Sequence, residues 1–169
     1  FFTPNELTKW RGDTILDKEP ETIKWINSFK NNSIFWDIGA NIGLYTIYAA
    51  KKKKKIKIFS FEPSTSNLRT LSRNVSINKL QKNVFIIPFA LSNSKNKLLQ
   101  LKEKQFTEGG ALNAFGVKYD YSGKNFFVEN SYNTFGTSID DLIKKRILEI
   151  PNYIKIDVDG IEDLILIGA

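Results

Sequence analysis

The chain of 169 residues contains no cysteine, no histidine and no methionine. Without cysteine there is no disulfide, no thiolate metal site and no thiol nucleophile. Without histidine the commonest general base and metal ligand is gone, so acid–base chemistry falls to Asp, Glu, Lys or Tyr. No stretch approaches the roughly 18 unbroken apolar residues of a membrane span, and no signal peptide is visible. A cytoplasmic location is therefore expected. The chain starts at Phe1 without an initiator Met and stops at Ala169 inside a helical pattern, so both ends are expected to be cut.

What is present is ordinary globular composition, 41% hydrophobic and 25% charged, in a length suited to one domain. The net charge of +7 is mostly local, because Lys51 to Lys55 supply five of it and leave +2 for the rest. That run follows a helical pattern, where cations complement the negative end of the dipole. It reads as a solvated helix end rather than a nucleic-acid surface.

The chain is organised around Ile34 to Ala50, IFWDIGANIGLYTIYAA. Ile34, Phe35 and Trp36 form a short apolar run, the mark of a buried parallel strand. Asp37 ends it, Gly39, Asn41 and Gly43 follow, and Leu44, Ile47 and Tyr48 resume at helical spacing. Strand, glycine turn and helix form the entry to a nucleotide-type site, with free N–H groups at the helix start. The spacing differs from the Gly-x-Gly-x-x-Gly fingerprint that serves a pyrophosphate. An acid two residues before the first glycine suits a ligand carrying positive charge, and S-adenosylmethionine (SAM) fits, with its sulfonium and ammonium.

Around this stretch the chain reads in order. Residues 1–18 are an irregular lead-in with a short helix around Glu6 to Trp10, and residues 19–169 form the ligand-binding domain. Pro20 and Glu21 open a helix with Ile23 and Ile26 on its apolar face. Ile56 to Phe61 is a second strand ending in Glu62, which stands near the roughly 20-residue offset at which an acid accepts from ribose hydroxyls. A helix over 65–78 and a strand over 84–88 follow, leading to Ala90, where an adenine could stack or be edged by backbone. A hairpin is expected, pairing 98–102 with 126–129, with a Gly-rich aromatic stretch over 108–123 as a loop able to close on a substrate. Ser138 and Asp141 have the form of a capping box for a helix over 139–147. Tyr153 to Val158 is the fourth strand. Alternation along it puts Lys155, Asp157 and Asp159 on one side, at the crevice where reacting groups belong.

The motifs DIGANIG (37–43), FEP (61–63), ALS at Ala90, TSIDDL (137–142) and KIDVDGIEDLILIGA (155–169) together resemble the FkbM-type SAM-dependent methyltransferases. The resemblance covers about 19–169. It implies an α/β fold: a Rossmann-like, mostly parallel class I methyltransferase sheet with helices on both faces. The chain would carry the first four core strands plus an inserted hairpin. It implies SAM as cofactor, with Asp37, Gly39, Ala40, Asn41 and Gly43 at the methionine end and Glu62 at the ribose. It also implies methyl transfer to a hydroxyl on a sugar, glycan or natural product. Asp159 stands where the family usually carries Glu. Asp157 and Asp159 are the candidates for taking the hydroxyl proton, with Lys155 as an orienting charge. Paired acids also suit a hard divalent cation, an alternative the residues leave open. Two rivals remain: an RNA methyltransferase, suggested by the lysine run, and a non-catalytic interaction module. No Asp-Pro-Pro-Tyr or Asn-Pro-Pro-Tyr follows the fourth strand, which argues against base-amine methylation.

Overall fold

The computed structural model describes residues 1–119, 122–125 and 127–169. It begins with α1 (Glu6–Asp13) and α2 (Pro20–Asn27). Then β1 (Ile34–Ile38), α3 (Leu44–Lys52), β2 (Lys57–Phe61), α4 (Thr65–Ile77) and β3 (Val84–Ile87) alternate. Next come four strands, β4 (Ala90–Leu91), β5 (Lys97–Glu103), β6 (Ala114–Phe115) and β7 (Asn130–Thr137), and finally α5 (Ile139–Lys144), β8 (Tyr153–Ile156) and α6 (Glu162–Ile167).

The apolar runs at 34–38 and 57–61 become the two inner strands of a four-stranded sheet in the order β3-β2-β1-β8. All its pairs are parallel. Side chains alternate along β1, so its two faces build two cores. Phe35 packs with Ile26 of α2, Phe29 just beyond it, Ile47 of α3 and Leu71 and Val75 of α4. Trp36 and Ile38 pack on the opposite face with Ile139 and Leu142 of α5 and Ile165 of α6. Helices therefore cover both faces, as the sequence implies. Among the described residues no helix is long and apolar enough to cross a membrane.

The segment between β3 and α5 differs from expectation. It forms a second four-stranded sheet in the order β4-β7-β5-β6. The hairpin partner of β5 is Asn130–Thr137, beyond the expected 126–129, with Leu101 opposite Tyr132. Phe126 and Tyr121, named in the expected hairpin and loop, lie outside the described residues. Tyr132 latches this sheet to the end of β2: its hydroxyl donates to Pro63 O (2.9 Å) and accepts from Thr65 N–H (2.9 Å).

Two boundaries and one cap also differ. The lead-in contains an eight-residue helix, capped reciprocally by Asn5 and Thr8, and Phe2 N–H donates to Asn74 Oδ1 of α4 at 2.6 Å. The helix expected over 139–147 stops at Lys144, because Arg146 adopts φ +55° and turns the chain. Ser138 Oγ does accept from Asp141 N–H (3.1 Å), but the Asp141 carboxylate is engaged by Asn96 (2.7 Å) and Lys145 (2.7 Å).

Candidate functional site

Parallel strands deliver their C-terminal ends to one edge, and here β1, β2, β3 and β8 bring Gly39, Glu62, Phe89 and Asp157 together there. The glycine turn sets the edge's shape. Gly39 has φ +79°, and a Cβ on it would stand 1.9 Å from the Asp157 carbonyl oxygen, so only glycine lets the turn cross β8 this closely. Asn41 (φ +51°) and Gly43 (φ +85°) continue the left-handed path into α3.

Two cavities flank this turn, sharing Gly39, Asn41 and Asp157. The first encloses about 560 Å³ of empty space, part of it open to solvent. Its polar side is Asn41, Glu62, Asn67, Asn113, Asp157 and Asp159, and its apolar side includes Ala90, Leu91, Leu101, Phe115 and Ile161. The second, about 450 Å³, lies toward the N-terminal helices and carries Arg11, Lys18, Glu19, Tyr45 and Lys155.

Glu62 is buried at the end of β2. Its Oε2 accepts from Asn41 N–H (2.7 Å) and its Oε1 from Ser64 N–H (2.8 Å). Burial pushes its carboxyl up to about 7 against these donors, which favour the charged form. Each oxygen keeps lone-pair capacity for another donor.

Asp37 is not on the cavity wall. Sharing the Phe35 face of β1, it lies beneath the turn, where Thr46 Oγ1 donates to its Oδ2 at 2.6 Å. The same hydroxyl shares a 2.7 Å bond with Ser60, and Ser60 and Lys155 flank Asp37 in register. Burial raises the Asp37 pKa, with the Lys155 cation opposing, and its Oδ1 is buried without a partner. Alternation from Trp36 could have shown that Asp37 faces α3. Gly43 likewise lines neither cavity, and Ala40 lines only the second.

The two candidate acids are brought to the crevice but not by strand alternation. β8 ends at Ile156, and Asp159 has φ +61°. Asp157 is half-exposed and accepts from Lys155 Nζ at 2.8 Å, and Lys155 in turn lies 5.1 Å over the Tyr45 ring. Asp159 accepts from Leu112 N–H (2.6 Å), and its pKa is raised, first by burial and then by Asp157 and Glu162. Among the described residues, no three His, Cys, Asp or Glu side chains gather as a metal-ligating group.

Sequence reasoning expected a loop over 108–123 able to close on a substrate, but not how its first part is anchored as a roof. The segment 105–113 crosses the first cavity and is pinned by side chains from four directions. Gly110 O accepts from Asn41 Nδ2 (2.8 Å) and Asn67 Nδ2 (3.1 Å). Gly109 N–H donates to Asn67 Oδ1 (2.8 Å), and Gly109 O accepts from Arg11 Nε (2.8 Å). Asn5 Nδ2 reaches Thr107 Oγ1 (3.1 Å) and Glu108 O (3.0 Å). Only the glycine pair signalled a close backbone approach here.

The family model described as the methyltransferase FkbM domain matches residues 37–169. Methyltransferase sdnD of Sordaria araneosa is 36% identical over 73 residues, 43% of this chain and 28% of its own. Methyltransferase 1 of Beauveria bassiana (strain ARSEF 2860) is 33% identical over 52 residues, 31% of this chain and 21% of its own. The matched stretch thus spans less than a third of each relative. Among solved structures, a SAM-dependent methyltransferase from Aquifex aeolicus aligns with TM-score 0.41 and 21% identity over 52% of this chain and 47% of that one. A putative rRNA methylase from Clostridium thermocellum aligns with TM-score 0.40 and 16% identity, over 42% and 39% of the two chains.

Proposed function

Because this chain belongs to the FkbM methyltransferase domain family, we propose that it binds SAM at the strand ends and transfers the cofactor's methyl group to a hydroxyl of a polar acceptor. The observation that carries this reading is the buried Glu62 at the first cavity, beside the glycine turn. The residues present suit an adenosyl ligand. Glu62 offers free lone pairs to ribose hydroxyls, the turn gives backbone approach for the methionine end, and Ala90 and Leu91 supply an apolar wall. SAM brings an activated methyl on a sulfonium.

The chain's own residues hold and orient. Asn41 ties the turn both to Glu62, through its N–H, and to the roof, through its amide. Asp37 acts from beneath, holding Thr46 and balancing Lys155. Asp157 belongs to both cavities, so an acceptor in the second cavity and a cofactor in the first would meet at its carboxylate. Holding the acceptor oxygen about 3–3.5 Å from the methyl carbon supplies most of the acceleration. We assign removal of the hydroxyl proton to Asp157, which lines both cavities and is held by Lys155, while Asp159 lines only the first cavity and anchors Leu112 of the roof.

The charged and hydroxyl-bearing lining of the second cavity favours a polyhydroxylated acceptor, such as a sugar, glycan or oxygenated natural product, over an apolar one. An RNA acceptor is less well supported. The lysine run lies at the far end of α3 from the crevice, about 13 Å along the helix at 1.5 Å per residue.

Isothermal titration with SAM tests the reading, with Glu62→Ala expected to weaken binding by about 1.5–3 kcal/mol. Unchanged affinity in that variant would remove the ribose role. Methyl transfer from labelled SAM to a sugar and natural-product panel tests the acceptor class.

A further inference from the structure

One polar group at the first cavity has no part in the reading above. Asn113 stands at the cavity wall directly before β6. Its Oδ1 is sealed from solvent and has no hydrogen-bond partner. The other polar side chains of this cavity are engaged: Asn41 and Asn67 by Gly110, Asp157 by Lys155, Asp159 by Leu112 and Glu62 by two N–H groups. Buried carbonyl oxygens are almost always paired, so an unpaired one on a residue that lines a cavity points to a donor that arrives with a ligand.

The surroundings specify that donor. Ala90, Leu101, Phe115 and Ile161 form one apolar cluster and line the same cavity. β6 is held in antiparallel register, Phe115 opposite Leu101, which fixes the backbone that carries Asn113. An apolar slot with one amide at its edge suits a flat heteroaromatic ring bearing an N–H, and does not suit a sugar or a charged chain.

We propose that Asn113 recognises the adenine edge of the cofactor, its Oδ1 accepting from the exocyclic N6–H while its Nδ2 faces the ring nitrogen N1. This rests on the reading that the first cavity holds an adenosyl group, and assigns specificity to the insertion between β5 and β7 rather than to the parallel sheet. Removal of either partner forfeits the bond and leaves the other unpaired in an apolar slot.

The test is a two-by-two titration calorimetry comparison. S-adenosylhomocysteine and its 6-deamino analogue, which lacks only the exocyclic amine, are each titrated into the wild-type chain and into Asn113→Leu. The wild-type chain is expected to bind the analogue about tenfold more weakly, the effect of roughly one buried hydrogen bond. Asn113→Leu is expected to bind S-adenosylhomocysteine about tenfold more weakly and to treat the two ligands alike. Equal binding of both ligands by the wild-type chain overturns the proposal without any variant, as does undiminished discrimination by a folded Asn113→Leu. Binding of neither ligand to the wild-type chain overturns the cofactor reading itself, and the proposal with it.

Discussion

Glu62 carries a cost that can be measured without any substrate. Its carboxyl is pushed from the usual 4.5 to about 7, chiefly by burial. The folded chain therefore holds this proton more tightly than the unfolded one. The stability that Glu62 contributes is complete below pH 4.5 and is lost as pH rises through about 7. A displacement of that size is worth on the order of 3 kcal/mol. Denaturant unfolding at pH 5 and pH 8 should show the wild-type chain losing stability relative to Glu62→Gln by up to that amount, and parallel pH curves would show that burial does not strain this group. Asp157→Asn belongs to the same edge but predicts the opposite pattern: turnover falls while SAM affinity changes little. Equal turnover would leave Asp157 as a strand-end anchor for Lys155. Gly39→Ala should cost about 3 kcal/mol or more, read as a lowered melting temperature, because a β-carbon there meets the Asp157 carbonyl at left-handed φ.

Among the elements, α1 is held mainly by polar ties. Its sequence, ELTKWRGD, has no apolar face to speak of, which is why the chain before Pro20 read as irregular. Asn5, Thr8 and Arg11 fix it instead, two of them by bonding the roof segment. Arg11→Ala should leave the melting temperature nearly unchanged while the Gly109, Gly110 and Leu112 amides exchange hydrogen faster; unaltered exchange would show that the roof stands without α1. The contrast explains what the sequence could and could not reveal. Strands β1, β2 and β8 and helix α4 carry apolar periods, so their type and place follow from local pattern. β7 reads NSYNTFGT, too polar to announce itself, and its register comes from pairing with β5. At the site, Glu62 and the glycine turn were legible as strand ends. Asn113 was not, because nothing distinguishes it until β5 and β6 set it beside an apolar wall.

At the scale of the molecule, one edge of the parallel sheet is open. Among the described residues β8 pairs only with β1, Lys155 is its single cation, and Ile154 on the strand is 38% exposed. An open strand edge carrying an exposed isoleucine favours pairing between copies of the chain. Sedimentation velocity should show association growing with concentration and reduced in Ile154→Lys; a monomer at all concentrations would show the edge to be harmless. The Gly110 carbonyl has a further consequence, for timing. Asn41 and Asn67, both on the floor and wall of the first cavity, hold the same oxygen of the roof. We expect a ligand the size of a nucleoside to wait for that oxygen to let go before it leaves. Departure should then run on the protein's clock: in stopped-flow dissociation, adenosine and S-adenosylhomocysteine would leave at one shared limiting rate despite unequal affinities, and Asn67→Ala would speed both alike.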